Sequence, residues 1–523
     1  MKLRHVIAAC GALALLAGAA RAETPQRGGT LRITLTGDIR SLDASRSENN
    51  TDTVLHHIYE ALVAPKGDLT VGPALAESWQ VSPDGKTYSF KLREGAIYHN
   101  GDRVVAGDIK WLFERRMNAG RNGAPWLCAA NFDGTRGLKV EAVEAPDERT
   151  VTFRLDAANP LFLTRLSDVI CNIWAASPKN VGPDGNWIAG SAIGSGPFKL
   201  KEWRKEQFIA LERFADYVPA GGPRDGMSGN RAAYVDEVRF VIIPDKTAAE
   251  TALFAGQIDV VSTLQASRMD DIRKRGAIVQ SAPGLSLSAI LIQTNDPLLS
   301  NVKLRRAIAH ALDLSEITSA KTGGLISFNP SGVPQSSAYF DPSFLTWPSY
   351  DPQAAQRLLA EAGYRGQVIK LQTNKRYIGM YENAVLVQAM LTAIGLKVEL
   401  EVIDWAAQLD NFFAGRFQLQ SWGYASRTDP LVIYGMIIGN KAEVASAQWD
   451  NAEATAIYLR AVAATDFEER RGLLRQLQAM MAEQVPILGL YYYPAIEAIS
   501  PRLVNYETWT LDKPRAWGVW LRS

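Results

Sequence analysis

The residues whose types and spacing suit chemistry are concentrated in Ser421-Trp422-Gly423-Tyr424-Ala425-Ser426-Arg427-Thr428-Asp429-Pro430. Two aromatics, a glycine and one arginine stand just before an Asp-Pro pair. Such a set suits non-covalent recognition: flat apolar faces for the body of a ligand, and a guanidinium that grips a carboxylate or phosphate through two parallel hydrogen bonds. The same ten residues also read as a capped helix preceded by two core aromatics, and both readings stand at this level. Further rings lie in polar stretches, at Tyr377, Tyr381, Trp405 and Trp449. The groups that bond-making needs are scarce. The chain has no GxSxG, no GxxxxGK[ST], no GxGxxG and no HExxH. Beyond residue 22 its only histidines are His56, His57, His99 and His310. Adjacent residues on a helix point about 100° apart and chelate poorly, which argues against a His56-His57 metal site. No cofactor and no metal is expected.

These residues need elements to position them. Asp429 is a suitable N-cap and Pro430 a suitable first helical residue, so the spacing predicts a helix over 431–438. The residues before it then form a strand-to-helix loop, where α/β proteins commonly meet ligands. Upstream, a strand over 368–372, a loop over 374–377, a helix closed by Gly395 and an alternating strand over 397–403 make a βαβ unit. Near the start, 28–36 reads as a strand and 53–62 as a helix through Val54, Ile58 and Leu62. Strand and helix alternate again over 238–261, and 287–293 is apolar enough for a buried strand crossing between lobes. Thr465-Asp466-Phe467-Glu468 is a capping box, Val485-Pro486 ends its helix, and 487–493 is an apolar strand.

Residues 70–190 differ in texture. Pro83 to Leu92 and Pro146 to Leu155 share the pattern Pro-Asp-x-basic-Thr-x-hydroxyl-Phe-basic-Leu without a gap. Two like hairpins predict a small antiparallel sheet. Between them Ile109, Leu112, Phe113 and Met117 mark one face of a helix, so this block reads as a separate α+β subdomain.

Residues 1–22 read as a secretory signal: Lys2 and Arg4, an apolar run from Val6, then Ala20-Arg21-Ala22 as the cleavage site. Cleavage removes three cations and no acid, turning a net charge of +1 into −2. A near-neutral chain argues against bulk nucleic-acid binding. At this length two or three domains are expected. Cys128 and Cys171 survive cleavage. In an oxidising compartment the pair reads as a bridge, with two buried thiols as the alternative.

A longer series of motifs resembles one family throughout. Gly28-Gly29-Thr30-Leu31, His57-Ile58-Tyr59-Glu60-Ala61-Leu62-Val63, Leu75-Ala76-Glu77-Ser78-Trp79 and Lys91-Leu92-Arg93-Glu94-Gly95 come first. His99-Asn100-Gly101-Asp102, Gly194-Ser195-Gly196-Pro197-Phe198, Leu304-Arg305-Arg306-Ala307-Ile308 and Asp429-Pro430 follow. In this order they resemble the bacterial extracellular solute-binding proteins of family 5, the peptide/nickel-type receptors of ABC importers. The resemblance implies an α/β, two-lobed periplasmic-binding-protein fold of the class II type, with an extra α+β subdomain on the first lobe. It implies lobe I over 23–69 and 191–285, the subdomain over 70–190, lobe II over 286–495 and a return to lobe I over 496–523. It further implies a periplasmic monomer without catalytic turnover that encloses a small-molecule or peptide-like ligand and delivers it to an ABC permease driven by an ATPase. A sensor or chaperone-like role on the same fold, or a secreted hydrolase, are the alternatives.

Peptide carriers of this family commonly place an Asp three residues before the Asp of the Asp-Pro pair, where it holds the peptide ammonium. Ser426 stands there in this chain, followed by Arg427. Serine brings no charge and arginine binds anions, so the resemblance points to a ligand with an anionic group. The expected contacts are Asn49 and Asn50 from the first lobe and Arg376, Tyr377, Trp405, Trp422, Tyr424, Ser426 and Arg427 from the second. Asp429 is expected to act as a structural cap.

Overall fold

The computed structural model describes residues 24–522 apart from 45–48, 120–125, 127, 136–137, 170 and 378. The segment read as a signal peptide lies outside them. One sheet of ten strands runs through the molecule. Its order is Phe198–Arg204, Phe208–Arg213, Glu237–Ile242, Thr30–Leu35, Val260–Val261, Ile487–Ile499, Ile278–Ile292, Leu419–Gly423, Val368–Thr373, Lys397–Val402. Thr30–Leu35 pairs in parallel with Glu237–Ile242, and Val368–Thr373 with Lys397–Val402. Parallel strands of this kind need both faces covered, and their apolar side chains are buried accordingly: Leu31, Ile33, Val238 and Phe240 on one side, Ile369 and Leu371 on the other.

The two sides are joined by two long neighbouring strands, Ile278–Ile292 and Ile487–Ile499, which pair antiparallel along nearly their whole length. Both are longer than their sequences suggest: the first begins nine residues before 287, and the second runs six residues past Tyr493. Pro283-Gly284 and Pro494 read as strand breakers. The pairing instead skips from Ala282↔Ala495 to Ser286↔Tyr493, a bulge that absorbs the residues unable to join the ladder. Gly284 belongs there for steric reasons, since a Cβ on it would collide with the Tyr493 carbonyl oxygen. The second strand is launched by Val485, a β-branched residue in the left-handed region at φ 46°. Arg305 holds that turn, its Nε donating to the carbonyls of Gln484 and Val485, each at 3.0 Å.

The first helix, Asn49–Ile58, starts earlier and ends earlier than the expected 53–62. Asn49 and Asn50 therefore open the helix rather than forming the loop before it. It stops at Ile58 because the Gly196 amide takes the Ile58 carbonyl at 2.8 Å and Gly194 packs too closely on it for any side chain. At its end the His56 carbonyl accepts from Arg231, which favours the negative end of the helix. His57 is wholly buried. Its Nδ1 faces the Thr53 carbonyl at 2.9 Å, and its Nε2 accepts from the Ala516 amide at 3.1 Å, which fixes the neutral tautomer. The helix Phe467–Gln484 is capped by Asp466, not Thr465, through the Glu469 amide.

The block between residues 70 and 190 forms a four-stranded antiparallel sheet in the order Ala76–Val81, Thr87–Leu92, Thr150–Leu155, Val140–Asp147. The two sequence-alike segments are its central neighbours, with Ser89 opposite Thr152 and Phe90 opposite Val151. Phe90 and Phe153 point into a core shared with Ile109 and Phe113 of the helix Ala106–Asn118. Cys128 and Cys171 are bridged at this core, with Cα atoms 5.6 Å apart.

Two expectations follow. Gly284→Ala should force the crossing strands apart and cost about 1–3 kcal/mol, read as a lower urea midpoint. Burial and the nearby Arg231 push the His57 imidazole down to about 3. The unfolded chain then binds a proton below about pH 6.5 that the fold rejects, so this group's stability contribution is lost as the pH falls. Between pH 7 and pH 5 the wild type should lose about 2 kcal/mol relative to His57→Gln, measured by denaturant unfolding at both values.

Candidate ligand-binding cleft

A cleft of about 850 Å³ opens where the two sides of the sheet meet the crossing strands. Its floor is the bulge itself, from Gly284 to Ser288 on one strand and Tyr493 to Ile496 on the other. The segment read as chemically richest forms one wall. The strand Leu419–Gly423 pairs antiparallel with the first crossing strand, Trp422 opposite Ala289, and the Tyr424 amide continues the ladder to the Leu287 carbonyl at 2.9 Å. Ser421 Oγ donates to the Met380 carbonyl at 2.7 Å, tying this strand to the neighbouring helix start.

Rings build outward from there. Trp422 stacks on Phe412 with centroids 4.4 Å apart, Trp405 leans on Trp422 at 5.2 Å, and Tyr377 meets Trp405 edge-on at 4.8 Å. Trp422 is buried, Trp405 half-buried and Tyr377 42% exposed, so the series passes from core to open cleft. Trp405 opens its helix directly after the cap Asp404, which explains its fixed position. Tyr424 lines the cleft but is buried, and burial pushes its phenol well up. Trp449 belongs to the core, its Nε1 donating to Gln484 at 2.8 Å.

Ser426 lines the cleft, with its hydroxyl 3.1 Å from that of Ser286. Arg427 does not line it. Its guanidinium folds back to donate to the Ser426 carbonyl at 2.8 Å. Arg376 is exposed at the mouth, 5.7 Å above the Tyr377 ring, and also lies outside the lining. Asn50 Nδ2 donates to the Gly37 carbonyl at 3.0 Å and fixes the first loop, away from the cleft lining. The side chain of Asn49 lies outside the described residues. Asp429 is buried, accepts from the Leu431 amide at 2.8 Å and faces Arg470 at 3.8 Å. Burial raises its carboxyl, against the pull of Arg470.

The charged residues that do line the cleft are Lys246, Lys321, Glu382 and Asp512, none of which stood out in the sequence. Glu382 lies five residues after the flagged Tyr377 and was within reach of the same reading. Asp512 sits in an irregular C-terminal stretch where no periodicity marks a face. Among the described residues no group of three or more His, Cys, Asp or Glu is placed to hold a metal, and no helix is long and apolar enough to cross a membrane.

Residues 70–442 match the model of the bacterial extracellular solute-binding proteins, family 5 Middle. The chain belongs to this family. A Haemophilus influenzae relative named heme-binding protein A is 26% identical over 86% of this chain and 84% of its own length. A Pseudomonas aeruginosa relative named di/tripeptide-binding protein 3 is 25% identical over 87% of each. The solved structure of HbpA2 from Haemophilus parasuis superposes with a TM-score of 0.83 over 95% of this chain and all of that one, at 22% identity. This family 5 protein thus shares the α/β architecture with a large central sheet, and its relatives are periplasmic solute-binding proteins of ABC importers. Of the three charges that its sequence brings forward, Arg427 holds its own loop, Asp429 caps a helix and Arg376 is exposed at the mouth, beside the aromatic wall.

Asp429 anchors that wall. Asp429→Ala should cost about 3 kcal/mol, through loss of the cap and of the partner of buried Arg470, and Asp429→Asn should recover the cap's share of about 1 kcal/mol. Urea unfolding of the three proteins measures both.

Proposed function

We propose that this chain is the exported receptor of an ABC importer, working as a monomer with no turnover of its own and handing its ligand to a permease coupled to an ATPase. In this reading it is processed after Ala22 to begin at Glu23. The lobes divide near 285/286 and 495/496, with the subdomain over 70–190 attached to the first. The observation that carries the reading is the cleft of about 850 Å³ set on the crossing strands. A pocket there changes shape whenever the crossing bends, so ligand binding and lobe closure are one event. The volume suits a small molecule or short peptide-like solute, in keeping with the haem and the di- and tripeptides for which the relatives are named.

The contact surface in this proposal is Tyr377, Trp405, Trp422, Tyr424 and Ser426, with Arg427 holding the loop and Arg376 at the rim. Ligand released from freshly purified, denatured protein and identified by mass spectrometry is the reagent for the test. Adding it back should reduce the radius of gyration in X-ray scattering. Trp405→Ala should weaken its binding by about 1–3 kcal/mol in calorimetry, while Arg427→Ala leaves the affinity within about threefold. An unchanged radius of gyration at saturation would remove the closure mechanism.

A further inference from the structure

A second concavity, larger than the ligand cleft, lies on the far side of the first helix from it. This groove of about 1350 Å³ runs between the helix Ala106–Asn118 of the 70–190 block, the loop 184–190 and Phe198–Arg204, the outermost strand of the large sheet. It shares no lining residue with the cleft. Three indoles line it, Trp111, Trp187 and Trp203. Each is half-buried and packed on the core around Leu31, Ile33 and Phe198, so one side is seated and the rest is left to the groove. Unlike Trp405 and Trp422, which lie against each other, none of the three meets another ring among the described residues. Their positions are fixed by hydrogen bonds. Arg115, one turn along the helix from Trp111, donates to the Gly185 carbonyl at 2.9 Å and ties the loop to the helix. Trp187 Nε1 donates to the Ser191 carbonyl at 2.9 Å. Trp203 Nε1 donates to Asp38 Oδ1 at 3.0 Å, and the other oxygen of Asp38 accepts from the Glu206 amide at 2.8 Å.

We propose that this groove is a second binding site, for an oligosaccharide that carries carboxylates. The proposal goes beyond the receptor reading and does not depend on it. One face of a sugar ring is a patch of C–H bonds with slight positive charge, which the negative face of an indole attracts. Separate, rigid indoles along one groove suit a chain of such rings better than one planar molecule. Sugar hydroxyls need acceptors beside those faces. Asn118, two turns along the helix from Trp111, and Asn186, next to Trp187, are exposed in the lining. Each commits an amide N–H, to the Glu114 carbonyl at 2.8 Å and to Asp184 at 2.9 Å, and among the described residues its side-chain carbonyl has no partner. The charges give the ligand its sign. Glu202 pairs with Arg204, Lys201 with Glu237 and Glu114 with Lys110. Asp184 accepts from Asn186 in its own turn, and Asp43 is engaged as well. Arg40 and Lys205 are exposed in the lining and have no carboxylate partner among the described residues. Both stand at the Trp203 end: Lys205 lies 5.7 Å from that ring, and Arg40 follows two residues after Asp38. A guanidinium and an ammonium beside a ring face suit a sugar carboxylate.

Calorimetric titration of the whole protein with pentagalacturonate tests this, because each of its rings has an apolar C–H face and one carboxylate. Its methyl ester keeps the rings and removes the charge. Pentagalacturonate should give a saturating isotherm, and the ester should bind about tenfold more weakly. Trp187→Ala should weaken binding about tenfold, and so should Arg40→Ala combined with Lys205→Ala. The two cations are exposed and hold no fold contact through their charge, so the double variant decides the matter even if a melting curve shows Trp187→Ala to be unfolded. Trp405→Ala, in the cleft, should leave the affinity within about twofold. No heat with pentagalacturonate, equal affinity for the ester, unchanged affinity in the double variant, or a loss in Trp405→Ala would each overturn the proposal. The receptor reading is tested by its own ligand and survives any of these results.

Discussion

A single ten-stranded sheet has to serve both sides of a cleft, and everything else in the molecule follows from how its two central strands manage that. Ile278–Ile292 and Ile487–Ile499 pair with each other on both sides of a break. A fully paired ladder resists bending, because bending it breaks or stretches hydrogen bonds in series. The break at Pro283-Gly284 and Pro494 removes amide donors from the ladder at the level where the two sides meet. The local cost is small because Pro residues offer no N–H to leave unsatisfied. Flanking pairs such as Gln280↔Glu497 and Leu287↔Tyr492 keep the strands in register on either side. The cleft opens on the broken portion, so the weakest stretch of the ladder is also the floor of the binding site.

The aromatic wall depends on the same strands. Trp422 is placed by its pairing with the first crossing strand, and Phe412 and Trp405 are placed on Trp422 by stacking. A wall assembled from rings that contact one another loses little conformational entropy when a ligand arrives, because the buried members are already held in single orientations. Only Tyr377, at the outer end, has freedom left. Polar side chains around the wall are mostly committed: Ser421 to Met380, Asn374 to Gln408, and Gln408 to Ser421. The cleft therefore presents shape and ring faces first, with only a few charges.

Much of this arrangement was legible in the sequence where a local rule operates. Asp429-Pro430 reads as a cap and first turn, and the helix Pro430–Ile437 starts there. The repeated Pro-Asp-x-basic-Thr pattern reads as two hairpins, and the two strands lie side by side. What was illegible depended on distant partners. The crossing strands look shorter than they are because a proline breaks the pattern, and only the bulge in the facing strand makes it tolerable. The first helix looks longer than it is because Gly194 and Gly196, more than 130 residues away, claim its last carbonyl. The direction of a single guanidinium carries no periodic signal. Arg427 turning to Ser426, and Asp512 facing the cleft from an irregular tail, are decided by contacts that no spacing rule encodes.

That tail is tied to the crossing at three levels. Glu497 on the second crossing strand accepts from Tyr506 Oη at 2.9 Å and Thr508 Oγ1 at 2.7 Å, and Gln280 on the first donates to the Tyr506 carbonyl and accepts from the Thr508 amide. Thr510 then reaches the Pro283 carbonyl at the break itself. Burial lifts the Glu497 carboxyl to about 8, so near neutral pH the group is largely uncharged, and a neutral acid beneath the crossing avoids the desolvation cost of a buried anion. The C-terminal segment consequently follows the crossing strands rather than either side alone. Thr510 ties this segment to the break at Pro283, so Asp512, two residues on in the cleft lining, is positioned by the same break.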